Sequence, residues 1–174
     1  MRPRNSPDNH PLKNITMNTR LDYLKYGPGA IKALHGVEHY LQNCGLEKSL
    51  RHLIQLRASQ INGCAFCIDM HVEDALADGE HPTRLHLLSV WEETPVFSER
   101  EQVAIAWTEA VTQLTEGGPS DELFARAQQQ FTEEELVNLN LAVGMINMWN
   151  RFAKTFHTQP ALKGFKTSTA ANSH

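Results

Sequence analysis

The chain has 174 residues, 41% hydrophobic and 21% charged, with a formal net charge of −4 and an isoelectric point near 6.1. That is enough apolar material for one domain with a real core, while the lack of a basic stripe argues against nucleic acid and the lack of a long apolar run against a membrane span. Three cysteines do not make a disulfide framework, and they fit a reducing cytoplasm better than secretion.

Residues 1–18 read as a flexible arm. Pro3, Pro7 and Pro11 alternate with Asn5 and Asn9, and the basic residues Arg2, Arg4 and Lys13 precede no apolar stretch, so a signal peptide is not indicated. A helical domain then covers residues 19–157. Pro28 suits the first position of a helix, which continues through Ala33, Val37 and Leu41 and stops near Gly45. The next helix spans about Leu46 to Ser59, with Leu50, Leu53 and Ile54 on its apolar side, and Asn62-Gly63 breaks it. The helix after that break stops at Gly79, and Pro82 opens a short one carrying Leu85, Leu88 and Trp91.

Ser98-Glu99-Arg100-Glu101 is a capping box. It starts a long helix in which Val103, Trp107, Ala110, Val111 and Leu114 recur at helical spacing, ending at Gly117-Gly118-Pro119. Ser120 caps a helix containing Leu123 and Phe124, and Thr132 with Glu135 forms a second capping box. The last helix, Glu133 to Phe156, is apolar on several sides, which predicts burial on more than one face and, through Trp149 and Phe152, a subunit interface. Residues 158–174 read as a flexible tail. No segment alternates with period two, so the fold class is all-α, a single-domain helical bundle.

The chemistry concentrates in Cys64-Ala65-Phe66-Cys67-Ile68-Asp69-Met70-His71. On a helix, residues at i, i+3 and i+7 share a face, and Cα atoms three apart sit roughly 5 Å from one another, within reach of a disulfide. A cysteine in the first turn also feels the positive end of the helix dipole, which lowers its thiol pKa. His71, four residues past Cys67, can lower the pKa of that sulfur or relay its proton, which assigns Cys67 to meet an oxidant and Cys64 to resolve the sulfenic acid. Position on the helix argues for the opposite roles, because Cys64 is nearer the dipole. A zinc half-site is the competing use of such a pair, with His35 and His39 at i, i+4; only Cys44 remains as a further thiolate, so a four-ligand site is short of partners. Two inert buried cysteines are the third reading. No cofactor and no metal is called for.

The run from Leu56 to His71 resembles the core motif of the alkylhydroperoxidase-D-like branch of the carboxymuconolactone decarboxylase family. Glu99-Arg100-Glu101, Trp107-Thr108-Glu109-Ala110 and Ile146-Asn147-Met148-Trp149-Asn150-Arg151 resemble other segments of it. The resemblance implies an all-α homo-oligomer, a trimer or hexamer, that acts as a thiol peroxidase or disulfide oxidoreductase in antioxidant defence. Its partners would be a hydroperoxide and a reducing dithiol or redox protein. It implies that Cys67 forms the sulfenic acid and Cys64 resolves it. It disfavours lactone decarboxylation, because the decarboxylases proper lack the dithiol. A disulfide reductase or a redox sensor is the alternative use of the same pair. Two positions depart from the peroxidase pattern: His52 stands where those members carry a relay glutamate, and Phe66 where they carry a histidine. An unperturbed imidazole changes charge near neutrality, so His52 can shuttle a proton or sit idle on the surface; Phe66 cannot carry one.

Overall fold

The computed structural model describes residues 18–114 and 117–163, and the expected arm before residue 18 and most of the expected tail lie outside them. Among the described residues there are eight α-helices and no strand. They are α1 (Tyr23–Tyr26), α2 (Pro28–Gln42), α3 (Lys48–Asn62), α4 (Ala65–Ala77), α5 (Pro82–Leu87), α6 (Glu99–Thr112), α7 (Asp121–Gln130) and α8 (Glu133–Phe156), with a 3-10 segment, Leu88–Glu93, after α5.

The boundaries follow local chemistry. Both capping boxes close as the sequence predicts, Ser98 with Glu101 and Thr132 with Glu135. Pro28 takes the first turn of α2. Gly63 ends α3 at φ 61°, a left-handed conformation in which a side chain would be strained. Two expectations shift. α6 ends at Thr112, so Leu114 leaves the helix and is 65% exposed. Cys64 stands one residue before α4 as its N-cap, with its sulfur accepting from Cys67 N–H.

α3 is the central post. Leu53, Ile54, Leu56 and Ala58 have no exposed surface, and burial of each leucine or isoleucine among them contributes roughly 2 kcal/mol. Leu50 and Ile54 face Val103, Trp107, Leu139 and Val143 of α6 and α8. Leu53 and Leu56 face Ala75, Leu85, Leu88, Phe97 and Ile105 on the other side. α8 is buried on several faces as expected, through Leu136, Leu139, Ala142, Met145 and Ile146. Trp149 and Phe152, expected at a subunit interface, are half-buried within the chain. Trp149 stacks beside His35 and donates to Glu38, and Phe152 packs edge-on against Tyr23 of α1. The apolar stripe that α8 leaves open is Val137, Leu141 and Met148.

A buried polar seam joins α3 to α8 just below the α3–α4 turn. Asn62 donates to both Asn147 and Asn150, Asn150 donates to Ser59, and Asn147 donates to Thr112. Lys154 donates to the Gly63 carbonyl at 3.0 Å. The seam fixes the turn that carries the dithiol, and its groups are buried deeply enough that losing one partner strands another. Asn150→Ala should lower stability by about 1–3 kcal/mol, read as a lower urea midpoint at unchanged slope. An unchanged midpoint would show that the seam does not hold the turn.

Candidate active site

The turn at Gly63 sends the chain from α3 directly into α4, so the two helices lie side by side and share one cavity. Its volume is about 980 Å³, and α2 and α8 complete the wall. Cys67, His71 and His52 all lie on that wall, so three of the four residues singled out in the sequence meet there. The fourth, Cys64, lies behind Cys67 against Ala153 and Phe66. The two sulfurs are joined as a disulfide, with the Cα atoms 5.3 Å apart. Both cysteines are almost fully buried, Cys64 2% and Cys67 1% exposed. Cys44 is far from them in function: it is a free, half-buried thiol bonded to the Leu41 carbonyl.

His52 is not surface decoration. It is 8% exposed, and its Nε2 lies 2.6 Å from Oδ2 of Asp78. The other oxygen of Asp78 accepts from Lys48 Nζ at 2.6 Å. The Lys48 and His52 hydrogen bonds hold the Asp78 carboxyl below its ordinary range, so it is ionised at neutral pH. The remaining nitrogen of His52, Nδ1, is buried without a partner, and so is Nε2 of His71. Two imidazoles therefore present unpaired nitrogens in the wall that also holds a redox sulfur. Among the described residues no cluster of three His, Cys, Asp or Glu side chains converges on a point where a metal could sit. Phe66, Met70 and Trp149 add apolar surface to the same cavity.

Asp78 was not legible in the sequence. Lys48 and His52 stand at i, i+4 on α3 and so share a face, which signals a common anion, but nothing local names the C-cap of α4 as its source.

Known proteins resemble this chain in sequence and fold. A model of the carboxymuconolactone decarboxylase family matches residues 28–110. The uncharacterized protein YdfG of Bacillus subtilis is 35% identical over 147 residues, covering 84% of this chain and all of that one. The chain belongs to the carboxymuconolactone decarboxylase family. Within that family its resemblance is to the alkylhydroperoxidase-D-like branch. A crystal structure from Agrobacterium tumefaciens, of a protein of unknown function described as a candidate AhpD in antioxidant defence, superposes with TM-score 0.79 at 45% identity. It covers 82% of this chain and 98% of that one. An uncharacterized peroxidase-related protein from Ralstonia eutropha, described as having an AhpD core, shares the fold at TM-score 0.70 and 19% identity, covering 79% and 73%.

Burial foremost, and then the nearby charge of His52, lowers the pKa of His71 to about 4. In the unfolded chain it returns to about 6.5. Between those values the unfolded chain binds a proton that the folded one refuses, so this family member should be fully stable above about pH 6.5 and lose stability as pH falls toward 4. The whole gap corresponds to about 3 kcal/mol. Urea unfolding of the oxidised protein between pH 7 and 4.5 should show most of that loss in the parent and little of it in His71→Leu. Parallel curves for the two proteins would remove His71 as the source.

Proposed function

We propose that the protein is a thiol-dependent hydroperoxide reductase that cycles through a Cys67 sulfenic acid and a Cys64–Cys67 disulfide. The observation that carries this reading is that, of the two cysteines, only Cys67 lines the cavity, in a wall shared with two imidazoles that have unpaired nitrogens. In the reduced protein the Cys67 thiolate attacks the terminal oxygen of ROOH. The O–O bond breaks, Cys67 becomes the sulfenic acid, and the alkoxide takes up a proton to leave as ROH. Cys64 then attacks the Cys67 sulfur, hydroxide leaves as water, and the disulfide forms. A dithiol outside the protein returns both cysteines to thiols and is itself oxidised to a disulfide. The 45% identity to a structure described as a candidate AhpD in antioxidant defence supports the same reading.

Burial weighs against the alternative of a disulfide reductase or adaptor acting on folded partners. Such a protein must present its dithiol at the surface, whereas both cysteines are almost fully buried and only Cys67 lines the cavity. The reductant is therefore a small dithiol, or one borne on an extended segment of a redox protein. A cytoplasmic setting suits the free Cys44, and no described helix is long and apolar enough to cross a membrane.

Steady-state consumption of an organic hydroperoxide with dithiothreitol as recycling reductant should be abolished in Cys67→Ser. Cys64→Ser should instead yield one dimedone-trappable sulfenic acid at Cys67. Trapping at Cys64 in Cys67→Ser, and none in Cys64→Ser, would reverse the roles. Stoichiometric oxidation without turnover would point to a sensor.

Self-association belongs to the same proposal. The open stripe of Val137, Leu141 and Met148 on α8 supports a homo-oligomer, a trimer or hexamer, because it adds a contiguous apolar surface to one helix face. Light scattering at micromolar concentration should give a multiple of the chain mass that falls to the monomer in Leu141→Glu with Met148→Glu. A monomeric parent refutes it.

A further inference from the structure

The peroxidase pattern expects a carboxylate at the position of His52, and this chain has none there. The structure supplies one from another helix. Asp78 closes α4 and reaches back across to α3, where its Oδ2 meets His52 Nε2 at 2.6 Å while Oδ1 is held by Lys48 at 2.6 Å. An ionised carboxylate can only accept, so His52 Nε2 carries the hydrogen and donates it. In neutral His52 the lone pair then resides on Nδ1. That nitrogen is buried, unpartnered, and in the same wall as the unpartnered Nε2 of His71.

We propose that Asp78 is the positioning carboxylate of this site, fixing His52 as an Nδ1 base that receives, through His71, the proton of the Cys67 thiol. The proposal rests on the peroxidase reading above for its biological use, but its geometry does not. Deprotonation moves one proton from Cys67 Sγ to His71 and one from His71 to His52 Nδ1. The result is a Cys67 thiolate and a His52 imidazolium paired with Asp78. When the O–O bond breaks, the same proton returns through His71 to the alkoxide, and His52 is neutral again. The low pKa of His71 fits a residue that passes a proton without keeping it, and the positive charge of His52 is one cause of that low value.

No other charge on the wall competes for this role. Arg51 and Lys48 on α3 are cationic, and Lys48 is already spent on Asp78. Glu38 on α2 accepts from Trp149, and His35 beside it stacks on the same indole. Asp74 on α4 and Tyr23 on α1 line the cavity but make no hydrogen bond to either imidazole, and α8 adds no titratable group to this wall. Among the described residues only Asp78 hydrogen-bonds to the His52 side chain.

The test reads the thiol directly, without peroxide. In the reduced protein, the pH dependence of Cys67 alkylation by iodoacetamide gives its thiolate titration, mapped by mass spectrometry. Nitrogen-15 NMR of the histidines gives the His52 tautomer. In the parent, His52 should be the Nε2–H tautomer. Asp78→Asn removes the charge that stabilises the imidazolium, which weakens the base, so the Cys67 titration should move to higher pH by about one unit. At pH 7 its oxidation by peroxide should slow about tenfold, toward the low end of what a positioned acid–base group supplies. Asp78→Glu should recover part of both, and it serves as the reference if the asparagine variant folds poorly. An unmoved Cys67 titration in folded Asp78→Asn, or an Nδ1–H tautomer in the parent, overturns the proposal even if peroxide is still reduced. A shifted titration in a parent that reduces no peroxide upholds Asp78 and overturns the peroxidase reading instead.

Discussion

The site depends on a single left-handed residue. Gly63 ends α3, and the next residue already caps α4. With no loop between them, the two helices cannot choose their relative register: the side of α3 that carries His52 must face the side of α4 that carries His71. A longer connection would let α4 slide or rotate, and neither the shared cavity nor the bond from Asp78 to His52 would be specified. The asparagine seam and Lys154 hold this turn from below, through polar contacts in which each donor has a named acceptor. Polar groups suit the task better than apolar ones, since their geometry admits one arrangement of the turn where packed methyl groups admit several. The dithiol thus sits on the most constrained backbone of the molecule, which matters for a pair that must meet at bonding distance.

Burial then sets the electrostatics. A histidine with no countercharge in an apolar wall prefers to be neutral, as His71 does. His52 instead meets a carboxylate, donating to Asp78 from the end of α4. The two rings are of the same type and differ in their surroundings, since Nε2 of His71 has no such partner. Oxidation state adds a third influence. With the disulfide closed Cys67 carries no charge; as a thiolate it favours a proton on the imidazoles that share its cavity. Reduction of the disulfide is therefore coupled to where a proton rests among these groups, with no movement of backbone required.

Much of this was legible before any coordinates. The caps at Ser98 and Thr132, the proline at the start of α2 and the glycine after Asn62 are local signals with local causes, and each produced the expected boundary. The dithiol and His71 were legible because helical periodicity places them. What the sequence hid was set by tertiary contact. His52 could be read as an exposed or an active histidine, since its burial depends on how the helices pack and its partner Asp78 lies 26 residues along the chain. The partners of Trp149 and Phe152 within the chain were hidden too, because nothing in α8 names Tyr23 of α1 or His35 and Glu38 of α2. Asp78 was invisible for the same reason: an acid before Gly79 reads as an ordinary helix end, and only the packing of α4 on α3 aims it at an imidazole.

The cysteine roles show how two valid arguments can apply to different steps. At the N-cap, Cys64 has the stronger field, since its sulfur accepts the Cys67 N–H and lies at the positive end of α4. Cys67 has the access, since of the two cysteines only it lines the cavity. On the peroxidase reading these are requirements of successive events. The first step is an encounter with a substrate from outside, and no lowering of pKa helps a sulfur the substrate cannot touch. The second step is intramolecular, so access is irrelevant, and what counts is the fraction of the resolving sulfur already present as thiolate. Cys64, stabilised by the cap and screened by Ala153 and Phe66, meets that need while being kept from reacting first. Phe66 fits the same logic. It cannot carry a proton, but it helps close the route to Cys64, so the departure from the peroxidase pattern at that position leaves the order of the two steps intact.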